Sequence, residues 1–265
     1  MSHLTPSVAA VPAAVREKAP LVQCITNYVS MDLAANVVNA AGASPAMVHD
    51  PREAGEFASL AGAVVANIGT PSPRWIDGMI DAVEVARDSG KPWVLDPVAV
   101  GATAYRRETV NTLLEFGPTV IRGNASEVLA IATQTAGGRG VDSDASLAQV
   151  RDHADELAQR TGAVVAVTGA QDYVTDGSRE PLVLSGGDPR MPLIIALGCS
   201  LSALVGACLA SHDDAYEATA AALATMSAAG ELAGAAADGP GSLRWRLLDA
   251  LTGIDADALT HNVGA

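Results

Sequence analysis

At 265 residues, with hydrophobic residues at 49% and aromatics at only 3%, the chain can bury a substantial core built from Ala, Val, Leu and Ile. Its formal charge of −14 excludes a general nucleic-acid binder, because phosphate backbones select clustered Lys and Arg. A nucleotide site stays open, since one Arg, a divalent cation and helix-end amides outweigh a distant acidic surface.

Short apolar runs read as strands at residues 21–26, 63–68, 93–96, 119–122 and 164–168. Helical patterns lie between them at 31–41, 74–89, 108–116 and 147–161. Strands apolar on both faces, separated by helices of this length, predict an α/β fold: a three-layer α/β/α arrangement around a largely parallel sheet. The polar or glycine residues Thr26-Asn27, Asn67-Ile68-Gly69, Asp96-Pro97, Arg122-Gly123-Asn124 and Thr168-Gly169 all fall at strand C-terminal ends, the edge where open α/β sheets hold ligands. Residues 136–144 and 172–187 read as loops or a hairpin. The last third is helical, at 201–211, 215–236 and 241–251. The alternation runs on without a linker, so one domain over residues 1–265 is expected. No stretch reaches the roughly 18 apolar residues of a membrane span. Residues 1–12 lack the basic start and apolar stretch of a secretion signal, so a cytoplasmic protein is expected. Cys24, Cys199 and Cys208 have neither metal nor disulfide spacing and read as reduced thiols.

Two motifs carry most of the chemistry. Arg122-Gly123-Asn124-Ala125-Ser126-Glu127 follows a strand; there Arg122 can grip phosphate as a fork and Glu127 can hold a cation through water. The same residues also make an ordinary helix start, with Asn124 as cap and Glu127 as its capping-box partner, and the two readings are compatible. Gly198-Cys199 opens a small-residue apolar helix whose free amides suit a phosphate or a developing oxyanion. A thiol in that first turn is expected to have a lowered pKa, although a small buried Cys in an Ala/Leu helix explains the local sequence as well. Asp96 points into the presumed crevice and can share a metal with Glu127, or simply form a turn. Thr168-Gly169 offers a hydroxyl and bare backbone to a phosphate, or a tight turn. Asn27 can orient a ligand heteroatom, and Met47 supplies an adaptable pocket wall or core. Walker-A and Rossmann glycine patterns are absent. His49, His153, His212 and His261 show no triad or metal spacing.

In this order the motifs resemble the hydroxyethylthiazole kinases of the ribokinase-like superfamily: Gln23-Cys24-Ile25-Thr26-Asn27, Gly42-Ala43-Ser44-Pro45-Ala46-Met47, Asn67-Ile68-Gly69-Thr70, Leu95-Asp96-Pro97, the Arg122 to Glu127 segment, Val167-Thr168-Gly169 and Gly198-Cys199. The Gly-Cys step, where most of the superfamily has Gly-Asp, points to this family in particular. The resemblance implies transfer of the ATP γ-phosphate to the primary hydroxyl of 4-methyl-5-(2-hydroxyethyl)thiazole, with Mg²⁺, in thiamine salvage. It implies ATP-phosphate binding by Arg122 and Thr168, with Asn124 and Gly169 beside them. Asp96 and Glu127 would organise Mg²⁺. Asn27, Met47 and Ala196 would line the thiazole pocket, and Cys199 would sit at the attacking hydroxyl above the amides at Gly198. A homotrimer with sites at subunit boundaries is also implied. The family's Gly-Thr-Gly-Cys is here Ala196-Leu197-Gly198-Cys199, and Ala196 disfavours the positive φ that a glycine takes freely. The alternatives are a kinase-fold enzyme for another small substrate, or a nucleotide- or thiazole-binding protein without catalysis.

Overall fold

The structure, a computed structural model, describes residues 4–134 and 147–264; the loop expected at 136–144 lies outside them. Among the described residues, six strands run parallel: β1 (Leu21–Ile25), β2 (Ser44–Ala46), β3 (Ala63–Asn67), β4 (Trp93–Asp96), β5 (Val120–Asn124) and β6 (Val164–Thr168). A hairpin, β7 (Asp172–Thr175) and β8 (Leu182–Gly186), and a short β9 (Val263–Gly264) extend the sheet antiparallel. The strand order is β2-β1-β3-β4-β5-β6-β7-β8-β9. The chain therefore leaves β1 to one side for β2 and returns to the other side for β3. That reversal opens a crevice beyond the carboxyl ends of β1 and β3.

Eleven helices among the described residues cover the sheet: α1 (Pro6–Lys18), α2 (Met31–Ala40), α3 (Ala54–Ala58), α4 (Pro73–Asp88), α5 (Ala104–Leu114), α6 (Ala125–Thr133), α7 (Leu147–Thr161), α8 (Leu197–Leu209), α9 (Ala215–Gly234), α10 (Pro240–Leu251) and α11 (Ala256–Asn262). Successive strand side chains serve opposite cores, as the pleat requires. Val22, Val65, Val94, Val120 and Val164 join the core under α1, α2, α8 and α9. Ile25, Val64, Leu95, Ile121 and Val165 join the core under α4, α6 and α7. Burial on both faces is why these strands read as continuous apolar runs.

The sequence reading missed α1, which Thr5 caps ahead of Pro6, the three-residue β2, α3, and the C-terminal α11 and β9. The fifth helix starts at Ala104 instead of 108, because the Thr103 side chain accepts from the Arg106 amide at 3.3 Å. The eighth starts at Leu197, so Gly198 and Cys199 lie inside its first turn. Gly206 lets α8 settle onto the sheet: a methyl there would meet Val65 at 2.7 Å and Val22 at 3.1 Å. That seating holds the helix N-terminus over the ends of β3, β4 and β5.

Candidate active site

Polar residues at five strand ends converge beneath the start of α8. Arg122, near the end of β5, donates through Nη2 to the hydroxyl of Thr168, at the end of β6. Strand register sets this up by pairing Asn124 with Thr168 and Arg122 with Ala166. The guanidinium rests against Gly198, where a methyl would lie 2.9 Å from Nη1 and 3.1 Å from Nη2. Gly198 thus lets the guanidinium pack closely against the helix start. Arg122 is 9% exposed, yet its Nε–H has no acceptor among the described residues. The backbone amides of Gly198 and Cys199 likewise find no acceptor there. A buried donor left unpaired costs about 1–3 kcal/mol, so these groups are poised to gain from an anion that supplies oxygens.

Two carboxylates lie beside this cation. Asp96, at the end of β4, is 1% exposed. Its Oδ2 accepts from Asn67 Nδ2 at 2.6 Å and from Ser202 Oγ of α8 at 2.7 Å. Burial pushes its pKa up against the pull of Arg122 and of these two donors. Glu127 Oε1 accepts from the Ala99 amide at 2.9 Å, and Oε2 from the Asn124 amide at 2.8 Å. Ala99 takes a positive φ of 54° to make its bond, a strained conformation of the kind that clusters at ligand sites. The Asn124 side chain returns a bond to the Glu127 amide at 3.0 Å, so the capping box is real and it aims the carboxylate. Burial and then the negative charge of Asp96 raise the Glu127 pKa. The repulsion that Asp96 exerts on Glu127 is left for a further cation to relieve. Both bonds to Asp96 fall on Oδ2, leaving Oδ1 without a partner among the described residues. Hard oxygen donors with unmet charge fit Mg²⁺ held with phosphate and water.

A second polar cluster lies at the β1/β3 crevice, where Asn27 and Cys199 meet. Asn27 Oδ1 accepts from the amides of Val29 at 3.0 Å and Ser30 at 3.1 Å. Its Nδ2 must therefore donate, and it does so to Asn67 Oδ1 at 2.9 Å and to Cys199 Sγ at 3.3 Å. Asn27 thus donates in two directions, to the thiol on one side and, through Asn67, toward the Asp96 carboxylate on the other. Gly69 makes room for it, since a methyl there would overlap the Asn27 side chain. The expected low pKa of Cys199 does not hold. Burial, then the charge of Asp96, push the thiol up to about 11, outweighing the bonds from Asn67 and Asn27 and the charge of Arg122. Desolvation beats the helix terminus because the thiol is mostly enclosed. Ala196 is the left-handed N-cap of α8, with φ 72°. Its methyl thus sits in a conformation that a side chain rarely takes. Ala196 and Met47 pack on the same core cluster, which Leu197 joins outright.

Asn124 and Gly169 reach the site with their polar groups already engaged. The Asn124 side chain caps α6, and the Gly169 amide donates to Asp172 Oδ1 at 3.1 Å. Burial pushes Asp172 up to about 6 against this bond and the charge of Arg122. Four residues went unassigned in the sequence. Asn67 was visible as a polar strand end. Asp172 stands three residues after Gly169, a spacing that suits a side-chain-to-backbone turn. Ser202 sits in an otherwise apolar helix. Arg106 gave no signal; its guanidinium holds the carbonyls of Ile68 at 2.7 Å, Val98 at 2.8 Å and Gly69 at 2.8 Å, tying the loops after β3 and β4 together.

A model of the hydroxyethylthiazole kinase family matches residues 13–257. The chain belongs to that family. A hydroxyethylthiazole kinase of Rhizobium etli is 57% identical over 247 residues, covering 93% of this chain and 95% of the relative. One from Cereibacter sphaeroides is 55% identical over 244 residues, 92% of each. The solved hydroxyethylthiazole kinase of Pyrococcus horikoshii superposes with a TM-score of 0.89 at 36% identity, covering 97% of both chains. As a member of the hydroxyethylthiazole kinase family the chain is a phosphotransferase with an alcohol acceptor, and the ribokinase-like architecture expected from the sequence stands.

Proposed function

We propose that the protein transfers the γ-phosphate of ATP to the primary hydroxyl of 4-methyl-5-(2-hydroxyethyl)thiazole, a reading that its relatives' name, hydroxyethylthiazole kinase, supports. The observation that carries this reading is the buried Arg122 fork, with its unpartnered Nε–H, set against the orphan amides of Gly198 and Cys199. Arg122 and Thr168 hold the phosphate chain. Asp96 and Glu127 hold Mg²⁺, which when bound neutralises charge on the phosphates. The first turn of α8 receives the charge that develops on the transferring group.

In the transfer the hydroxyl oxygen bonds to the γ-phosphorus as the bond to the bridging oxygen of ADP breaks. Such transition states are loose, so the hydroxyl proton departs late, onto an oxygen of the transferring phosphoryl group, and needs no strong base. Cys199 suits this: a neutral thiol with a pKa near 11 does not take the proton beforehand, and Asn27 fixes the sulfur so that it can orient the hydroxyl. Turnover is accordingly expected to be slow. Asn27, Met47 and Ala196 form the thiazole pocket.

The reading extends to the assembly. Tyr28 and Val29 are 68% and 62% exposed, and Leu193 and Ile195 are 62% and 71% exposed. The two pairs flank the Asn27–Cys199 contact, an apolar rim that supports a homotrimer closing over the acceptor mouth. Among the described residues no helix is long and apolar enough to cross a membrane, and we assign the enzyme, a single domain, to the cytoplasm. The test is ATP consumption with Mg²⁺, with and without the thiazole alcohol, the product being identified by mass. A thiazole-dependent phosphate ester supports the assignment. Nucleotide binding without transfer overturns it.

A further inference from the structure

We infer that Trp75 is a positioning residue for the acceptor alcohol, clamping together the two loops that carry Asn27 and Met47. The inference rests on the reading of those two residues as the thiazole pocket. The loops need an outside anchor. Met47 directly follows β2, a three-residue strand at the edge of the sheet, and short edge strands hold their adjoining loops weakly. Gln23 fixes the inner side of that loop through the Val48 carbonyl at 3.1 Å. The outer side meets Trp75.

Trp75 sits in the first turn of α4, whose N-cap Ser72 accepts from the Trp75 amide at 3.4 Å. Its indole is 6% exposed and touches both loops. Nε1–H donates to the carbonyl of Thr26 at 3.0 Å, the residue before Asn27. One neighbour, the Tyr28 ring, lies over the indole at 4.7 Å between centroids, tilted by 55°. Another, the His49 imidazole, stacks on it at 3.9 Å and 22°, and His49 Nδ1–H donates to the Met47 carbonyl at 3.1 Å. One turn further along α4, Gly78 has no room for a methyl, because the His49 carbonyl lies against its backbone. The helix therefore bears directly on the loop, and a single rigid aromatic sets the spacing between the residues before Asn27 and after Met47. An indole N–H is a donor only, and burying it unpaired is costly, so the bond to Thr26 fixes one ring orientation.

The prediction is a change in acceptor affinity alone. Trp75→Phe keeps a ring for stacking and loses the donor; His49→Ala removes the stack and the link to Met47. Steady-state kinetics on the full chain are expected to show KM for the thiazole alcohol raised about five- to tenfold in either variant, with kcat and the KM for ATP within about twofold. Met47→Ala, measured beside them, tests the underlying reading: an unchanged acceptor KM there overturns the pocket and this inference together. A raised acceptor KM in Met47→Ala, with Trp75→Phe and His49→Ala both unchanged, overturns the inference alone. A joint rise of both KM values with a lower Tm indicates general loosening and also overturns it. Should Trp75→Phe fail to fold, the half-buried His49→Ala carries the test.

Discussion

The phosphate end and the acceptor end of this site are built from different materials. At the phosphate end, Arg122, Asp96 and Thr168 at strand ends and Glu127 in the first turn of α6 are fixed by charge-assisted bonds and by a capping box. At the acceptor end, Met47, Ala196 and Leu197 are held by apolar packing, with Asn27 and a neutral thiol as the polar contacts. On the proposed reading, the first end offers binding energy to almost any magnesium polyphosphate and the second selects by shape. Function that depends on charge tolerates little change in residue type. Function that depends on shape can be met by different side chains.

The hardest test of this contrast is Arg122→Ala. It removes a fork of charge-assisted bonds, each worth about 1.5–3 kcal/mol, so kcat/KM for ATP should fall by roughly 10²- to 10⁴-fold while the acceptor KM stays within a few-fold. An equal loss on both substrates would mean the two ends are one coupled unit. Arg122→Lys should recover little, because a point charge cannot reproduce the fork.

Cys199 tests the acceptor end. A thiol at about 11 carries roughly a hundredfold less thiolate at neutral pH than one at its ordinary value of 9.0. Alkylation by iodoacetamide should therefore be slow and should climb steadily up to about pH 11. Cys24 and Cys208 are fully enclosed, so in native protein Cys199 is the one that labels. A plateau below pH 8 would restore the low-pKa thiol expected from the helix terminus.

Asp172 shows what the phosphate end costs the fold. Its carboxyl rises on folding from 3.8 to about 6. For a raised carboxylate, the stability contribution is complete below about pH 4 and is lost as pH climbs through about 6. Asp172→Asn keeps the acceptor for the Gly169 amide, so it should gain about 2 kcal/mol in urea unfolding at pH 8, allowing for the partial exposure of the site, and nothing near pH 4. A gain that is independent of pH would locate the cost in packing instead.

The same division governed what could be read from the sequence. The layered fold was legible because strands buried on both faces leave unbroken runs of Val, Ile and Ala, as at Ala63–Asn67. The Arg122 segment was legible because a fork and a capping box need particular residue types at fixed spacing. Asn67 and Arg106 were not assigned, because their roles depend on strand order and on loops brought together across the sheet. The thiol pKa was misjudged for a related reason: the helix terminus is visible in sequence, whereas the burial that overrides it is not. Trp75 drew no reading, because its role depends on the two loops that the fold lays against it.

Ala196 and Leu197 give the finest test, because the expected effects are small and opposite. Ala196 holds φ 72°, and a side chain in that region costs roughly 1–2 kcal/mol. Glycine relieves this strain but adds unfolded-chain entropy worth about 0.4–1 kcal/mol. Ala196→Gly should therefore change stability by about 1 kcal/mol or less. Leu197 is 8% exposed and belongs to the core under α8. Leu197→Thr exchanges buried methyls for a hydroxyl and should cost about 1–3 kcal/mol. If the acceptor end works by shape, Ala196→Gly alone alters the acceptor KM with stability nearly level, and the added Leu197→Thr lowers Tm without improving turnover. A rise in kcat from the double change, with KM for ATP improved, would mean that the family's threonine meets phosphate here too, and the boundary between the two ends would then move into the first turn of α8.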